Sequence, residues 1–500
     1  MQPADLKSKR LVRPRQLLIW ALLSVLFALA ACVRNQPDVI VITATFQPAP
    51  VTTLQPTPSA LAGQPTAVAE AGTTRRYVVQ PGDTLSIIAA NEGVSVALLI
   101  QANNLVNPDI LEVGQELLIP AGPSLVGSDF RILPDNRLVR APGSAAFDIR
   151  AFISQQPGYV RIATDTVDQR VLTAGDIIER VAFEYSVDPR LLLTLLEYRS
   201  RWLTNPTPGD TQQVYPLGAP ASPLGFDRNG LYRQLAWAAD QLNYGYYSRK
   251  YRRLSSVEFP DEGIALRFAD GLPYGTVGLQ YMLSLYNTYG GWQRDVSPSG
   301  VYATYLSLFG DPFDGAVETL TPAGLTQPTL VLPFPAGVDW FYTGGPHGGW
   351  GSGSAWAAVD FAPPDDLETV SSACYVSQNF ATAVAPGVIA RTTEGVVVLD
   401  LDGDGDESTG WSILYLHIAA EDRILGGMVV SPGDNIGRPS CEGGFSNGTH
   451  LHLARRYNGE WIPTDCSDCP PTTATPNFVM SNWTFYGYTN QEYQGYTVNS

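Results

Sequence analysis

Ser446-Asn447-Gly448-Thr449-His450-Leu451-His452-Leu453 decides how this chain is read. The protein has four histidines in 500 residues, and two of them sit here with one residue between them. Side chains on a β-strand alternate faces, so His450 and His452 on a strand would project from the same face and aim two imidazoles at one point. The other two, His347 and His417, come before them in the same domain-sized window.

Four features line up there: Gly344-Gly345-Pro346-His347, Ala358-Val359-Asp360-Phe361, Leu414-Tyr415-Leu416-His417 and His450-Leu451-His452. Hydrolytic zinc sites draw three ligands from His and carboxylates and leave a fourth position for water. Two imidazoles and one Asp hold the dication while keeping it acidic enough to lower the pKa of that water. If three of these five groups are ligands, two histidines remain to move protons near neutral pH and to stabilise charge on an attacked carbonyl oxygen. From Phe334 onward, short strands, Gly-rich loops and aromatic residues predict an antiparallel β fold.

These residues resemble the lysostaphin-type zinc endopeptidases that cut peptidoglycan peptides, and more closely their staphylolysin and β-lytic branch. The wider family places His four residues before its Asp, where Trp356 stands here. His347 lies thirteen residues before Asp360, the longer spacing of the β-lytic branch. The family's final His-x-His after a Gly-rich turn matches Gly443 to His452, with Thr449 where relatives usually carry Pro. The resemblance spans about residues 336 to 470. It implies His347, Asp360 and His452 as zinc ligands, and His417 and His450 as a catalytic pair that shares the roles of base and oxyanion stabiliser. It also implies a disulfide between Cys374 and Cys441, while Cys466 and Cys469 pair with each other or bind something.

Asp400-Leu401-Asp402-Gly403-Asp404-Gly405-Asp406 stands apart, with four carboxylates at alternate positions and Gly405 where a calcium-binding EF-hand loop also has glycine. Calcium would offset their repulsion, but Trp411 occupies the position of the loop's twelfth-residue Glu. An acidic hairpin turn without metal is the competing reading.

Outside this window the chain reads as delivery apparatus. Residues 1–31 have a basic patch, an apolar run from Leu17 to Ala31 and small residues before a cut, the three parts of a secretory signal. Leu29-Ala30-Ala31-Cys32 resembles the lipobox of bacterial lipoproteins, which implies lipidation of Cys32, a membrane anchor and an extracytoplasmic location. That compartment permits disulfides. The formal charge is −17, and the first 31 residues hold five basic groups against one Asp, so the chain without them carries −21. Such a balance argues against nucleic acid as a partner.

Residues 32–75, rich in Gln, Pro, Thr and Ala, read as a disordered tether. Residues 76–121 read as strand, helix, helix, strand. With Val79-Gln80-Pro81-Gly82-Asp83-Thr84-Leu85, Asn103-Asn104-Leu105 and Val113 to Pro120, this segment resembles a LysM module, which implies a pocket for N-acetylglucosamine-containing glycans.

Residues 122–145 read as a linker and 146–315 as mostly helical, with apolar spacing through Val181, Val187, Leu191, Leu192, Leu195 and Leu196. The run Asp188 to Ser200 and the later Gly275 to Tyr281 are faintly similar to lysozyme-like lytic transglycosylases. Arg199 stands where those enzymes carry their acid before the serine, and Glu197 lies two residues earlier. Residues 316–335 read as a second linker, and 336–500 as the metallopeptidase domain with an aromatic tail of closing strands.

The expected fold is therefore multidomain: a small β-α-α-β LysM module, a mostly α lysozyme-like middle domain and a C-terminal antiparallel β-rich metallopeptidase. The expected function is zinc-dependent hydrolysis of peptidoglycan stem peptides or cross-bridges by a metal-activated water. The competing readings are a non-catalytic wall-binding regulator of other hydrolases and a glycan-cleaving enzyme centred on the helical domain.

Overall fold

A computed structural model describes residues 75–499, apart from 81–82, 93, 95, 106, 108–110, 121–124, 223–224, 253, 366–371 and 490. The signal segment, Cys32 and all of the tether except Arg75 lie outside the described residues. Among the described residues no helix is long and apolar enough to cross a membrane.

The N-terminal module runs β1 (Arg75–Val78), α1 (Leu85–Glu92), α2 (Val96–Asn103) and β2 (Glu116–Ile119), with β1 and β2 antiparallel. Its small core gathers Val79, Leu85, Ile88, Leu99, Leu117 and Ile119. Asn103 ties helix to strand: its Oδ1 accepts the Leu118 N–H at 2.6 Å, and its Nδ2 donates to the Leu118 carbonyl at 2.8 Å.

The middle domain is mostly helical. It comprises α3 (Ile149–Ser154), the hairpin β3 (Thr164–Val167) and β4 (Arg170–Thr173), α4 (Ala174–Tyr185), α5 (Pro189–Ser200), α6 (Asp210–Val214) and α7 (Leu231–Tyr251). A second hairpin follows, β5 (Ser256–Phe259) and β6 (Ile264–Arg267), then α8 (Tyr274–Ser284), α9 (Tyr289–Asp295) and α10 (Val301–Phe309). Local chemistry sets the boundaries. Thr173 and Asp176 form a reciprocal capping box at the start of α4, and Asp188 caps α5 with Pro189 in its first turn.

The last third begins with β7 (Phe341–His347), β8 (Ala358–Ala362), β9 (Ala381–Thr382), β10 (Gly387–Thr393), β11 (Gly395–Asp400) and β12 (Trp411–Ile418). It continues through β13 (Val429–Val430), β14 (Asn435–Gly437), β15 (Leu451–Tyr457), β16 (Glu460–Trp461), β17 (Val479–Met480), β18 (Trp483–Tyr488) and β19 (Gln491–Asn499). The main sheet is antiparallel, in the order β13-β10-β11-β12-β15-β8-β7, with β16 paired to β15. Every residue of β12 is buried, because both faces of this sheet are covered. Val397, Leu399, Ile413, Tyr415 and Leu453 pack one face against Phe478, Met480 and Phe485. Val396, Val398, Leu414, Leu416 and Ala454 alternate with them and join the core of the helical domain on the other face.

That shared core corrects both expected linkers. Within 122–145, Ile132, Leu133, Leu138 and Val139 are fully buried, and Thr276 Oγ accepts the Ile132 and Leu133 N–H groups at 3.0 Å each. Within 316–335, Leu320 and Leu330 are buried, and the Val331 N–H donates to the Val384 carbonyl at 2.8 Å. Isolated apolar residues among Pro, Thr and Gly have no periodicity to betray them, yet here they seal seams between larger elements.

Candidate metal centre

The site grows out of sheet register. His452 of β15 lies opposite Asp360 of β8, which in turn lies opposite Gly344 of β7. Residues directly opposed across strands share a face, so imidazole and carboxylate stand side by side on the face turned to the helical domain. Gly344 makes room, since a Cβ there would lie 2.6 Å from Asp360 Oδ2. His347 ends β7 and brings a second ring to the same point. His417 follows Leu416, the partner of His452, and the pairing with β11 slips there. Its φ of 66° re-aims a ring that strict alternation would send to the opposite face. His450 sits just ahead of β15, bridged to Ser440.

The donor atoms converge. His347 Nε2 is 3.0 Å from His452 Nδ1, and Asp360 Oδ1 is 3.3 Å from each of these nitrogens. The outer ring nitrogens are committed elsewhere: His347 Nδ1 donates to the Gly345 carbonyl at 2.9 Å, and His452 Nε2 to the Gly349 carbonyl at 3.0 Å. In the neutral rings, those bonds leave bare lone pairs at His347 Nε2 and His452 Nδ1, facing one another and a carboxylate. Asp360 Oδ1 is buried without an aligned hydrogen-bond donor. Two lone pairs and an orphan anionic oxygen this close fit a divalent cation.

The electrostatics point the same way. Burial alone would raise the Asp360 carboxyl, but the facing His347 and His452 imidazoles outweigh it and hold it well below the usual carboxylate range. Burial likewise opposes charge on His347, yet Asp360 outweighs it and draws the ring upward. The cluster attracts positive charge. His417 behaves differently: burial and the neighbouring His450 and His452 push it down to about 3. Its Nδ1 donates to the Glu442 carbonyl at 3.1 Å, and His450 Nδ1 donates to the Gly448 carbonyl at 2.7 Å. The two rings lie 4.5 Å apart, and His450 Nε2 is 3.6 Å from Asp360 Oδ2.

The five expected residues thus meet in one cleft, a cavity of about 900 Å³ with Asp168, Arg180 and Tyr232 of the helical domain on its far wall. Thr449 ties the His450 turn down: its Oγ accepts the Tyr375 N–H at 2.8 Å and donates to the Tyr375 carbonyl at 2.6 Å. Cys374 and Cys441 are bonded, and so are Cys466 and Cys469.

Several contributors went unread in the sequence. Tyr493 stacks on His347 with centroids 4.6 Å apart, Glu492 Oε1 accepts the Gly348 N–H at 3.0 Å, and Asp240 of α7 holds the loop after His347. The tail had read only as closing strands, and no local pattern marks a contact made across so many residues.

Two other expected sites differ. Among the described residues, Asp400, Asp402 and Asp404 form the second group whose carboxylates come within 4.8 Å of one another. Backbone amides already engage them: Asp400 accepts from Gly405 at 2.8 Å, Asp404 from Asp406 at 2.7 Å and Asp406 from Ser408 at 2.9 Å. The turn closes on its own N–H groups, and calcium has no support beyond the number of acids. In the helical domain, the Glu197 carboxylate accepts from the Leu203 N–H at 2.9 Å, the Thr204 N–H at 3.2 Å and the Thr204 hydroxyl at 2.6 Å. That carboxylate secures the turn after α5.

The chain is similar to several known proteins. A family model described as LasA, N-terminal domain, matches residues 131–323, and the LysM domain model matches 77–120. Protease LasA of Pseudomonas aeruginosa is 26% identical over 380 residues, covering 71% of this chain and 81% of that protein. N-acetylmuramoyl-L-alanine amidase XlyA of Bacillus subtilis is 41% identical over 64 residues, 13% of this chain and 22% of its own length. Among solved structures, the M23 metalloprotease pseudoalterin is 24% identical, with a TM-score of 0.26, over 35% of this chain and 92% of its own. These relatives make the chain a zinc metallopeptidase. The chain is similar to Protease LasA over most of its length and also matches the LysM domain.

Proposed function

We propose that this chain hydrolyses peptide bonds in peptidoglycan, with His347, Asp360 and His452 holding zinc and His417 and His450 handling protons. The single observation that carries the reading is the meeting of His347 Nε2, His452 Nδ1 and Asp360 Oδ1 within 3.3 Å, with both outer ring nitrogens spent on carbonyls. Bound there, zinc would supply Lewis acidity toward a water molecule and the scissile carbonyl.

The chain's own groups do the rest. Hydrogen bonds to the Gly448 and Glu442 carbonyls fix the His450 and His417 rings with Nε2 bare. Either can take the proton of the attacking water and return it to the leaving amine. The cleft wall formed by Asp168, Arg180 and Tyr232 bounds the space a peptide would enter. The LysM domain binds N-acetylglucosamine-containing glycan and keeps the catalyst near its substrate, which raises local concentration without a new contact at the active site. A lipid on Cys32 anchors the protein outside the cytoplasmic membrane. Neither calcium nor nucleic acid enters the reading.

The test is to digest purified cell wall with the protein, identify new ends by mass spectrometry, and repeat with His450→Ala and with a chelator. New amino ends lost in both controls are expected. Amino ends that persist in both would refute a zinc endopeptidase, and glycan ends alone would move the activity to the helical domain.

A further inference from the structure

Resting on the metal reading above, we propose that Asp240 of the helical domain is a positioning residue for the metal centre, acting through the loop that orients His452. The loop is Gly348-Gly349-Trp350-Gly351-Ser352-Gly353-Ser354. Four glycines in seven residues leave it little conformational preference of its own, so its shape must be imposed by what it touches. It carries the Gly349 carbonyl, which accepts the His452 Nε2–H at 3.0 Å and so keeps Nδ1 of that ring as the lone pair facing Asp360 and His347.

Asp240 pins the other end. Its Oδ1 accepts the Gly353 N–H at 2.8 Å, and its Oδ2 accepts the Ser352 hydroxyl at 3.1 Å. The two backbones also touch, because a Cβ on Gly353 would lie 1.8 Å from the Asp240 carbonyl oxygen. Glu492 holds the near end through the Gly348 N–H. The loop is therefore held by the tail hairpin at Gly348 and by α7 at Gly353, and it closes on itself where the Trp350 N–H donates to Ser354 Oγ at 3.1 Å. Through Asp240 the helical domain supports the metal centre as well as facing it: without Asp240 the Gly353 end of the loop is released, and the Gly349 carbonyl holds the His452 ring less firmly.

The experiment uses the full chain and cobalt(II) as the probe, read by titration and by the visible absorption of the bound ion. Asp240→Ala is expected to weaken cobalt binding by about tenfold or more, the usual cost of losing an outer-shell partner. The spectrum should change, amide exchange across 348–354 should quicken, and the far-ultraviolet circular dichroism should match the parent. Asp240→Asn retains an acceptor for Gly353 and is expected to fall between the two. If Asp240→Ala does not fold, Asp240→Asn and Ser352→Ala decide, each expected to weaken binding several-fold. Parent-like cobalt affinity and spectrum in the folded variants overturn this inference alone. A parent chain that binds no cobalt overturns both it and the metal reading.

Discussion

His347 Nε2 stands 3.0 Å from His452 Nδ1, although 105 residues separate the two in the chain. With both outer nitrogens donating to carbonyls, only a proton or a cation can reconcile these lone pairs with each other. His347→Ala, His452→Ala and Asp360→Asn are each expected to abolish wall hydrolysis. Each should weaken zinc binding by more than the roughly 10–100-fold that loss of an outer-shell partner costs. Elemental analysis after dialysis checks the metal, and released amino groups check the activity.

His417 and His450 separate from that set by their contacts. Their rings lie 4.5 Å apart, each with Nδ1 on a backbone carbonyl. His417→Ala and His450→Ala are therefore expected to keep zinc at parent stoichiometry while losing about 10²–10⁴-fold in turnover, the range for general acid–base groups. Loss of metal in either variant would instead make that ring a ligand.

The His-x-His pattern made the site's location legible, because period two on a strand is a local rule. Register was not legible: nothing in Ala358-Val359-Asp360 announces that it lies opposite His452. The bulge that turns His417 inward depends on pairing with β11, a non-local event. Asp240 and Glu492 reach the loop after His347 from other elements, so no spacing could reveal them. The apolar spacing expected of helices falls on α4 and α5. The helical domain's fusion to the sheet was missed because the contacts that make it, such as Ser186 Oγ donating to the Gly459 carbonyl at 2.6 Å, join residues far apart in sequence.

Thr449 occupies the place where the family usually carries Pro, and here its N–H is in use, donating to the Ala373 carbonyl at 2.9 Å. Thr449→Pro deletes that donor and both hydroxyl bonds to Tyr375. It is expected to cost about 1–3 kcal/mol of stability, the range for leaving buried partners unmet. Denaturant unfolding measures this, and zinc content should stay unchanged.

The same 373–375 segment is bound by the Cys374–Cys441 disulfide, which spans 67 residues, whereas Cys466–Cys469 spans three. In the chain-entropy model the longer loop contributes roughly 4 kcal/mol and the shorter one roughly half of that. Replacing Cys374 and Cys441 with Ala is therefore expected to lower the melting temperature more than replacing Cys466 and Cys469.

The seam between the domains contains a buried charge cluster that makes stability depend on pH. Lys250 of α7 pairs with Glu460 of β16. Tyr246 OH lies 3.3 Å from both Glu460 Oε1 and Asp135 Oδ2, so its one proton cannot serve both carboxylates. Two buried acids thus share one ammonium. Burial first, with Glu460 adding to it against the Gly275 amide, Lys250 and Tyr246, raises Asp135 from 3.8 to about 7. An acid raised on folding binds its proton more tightly in the native state. Its contribution is fully present below about pH 4 and is lost as pH rises through about 7, at most roughly 4 kcal/mol at 1.36 kcal/mol per unit. Asp135→Asn cannot ionise and should flatten the melting temperature between pH 4 and 8, ending above the parent at pH 8. A parent-like slope in that variant would remove Asp135 from the account.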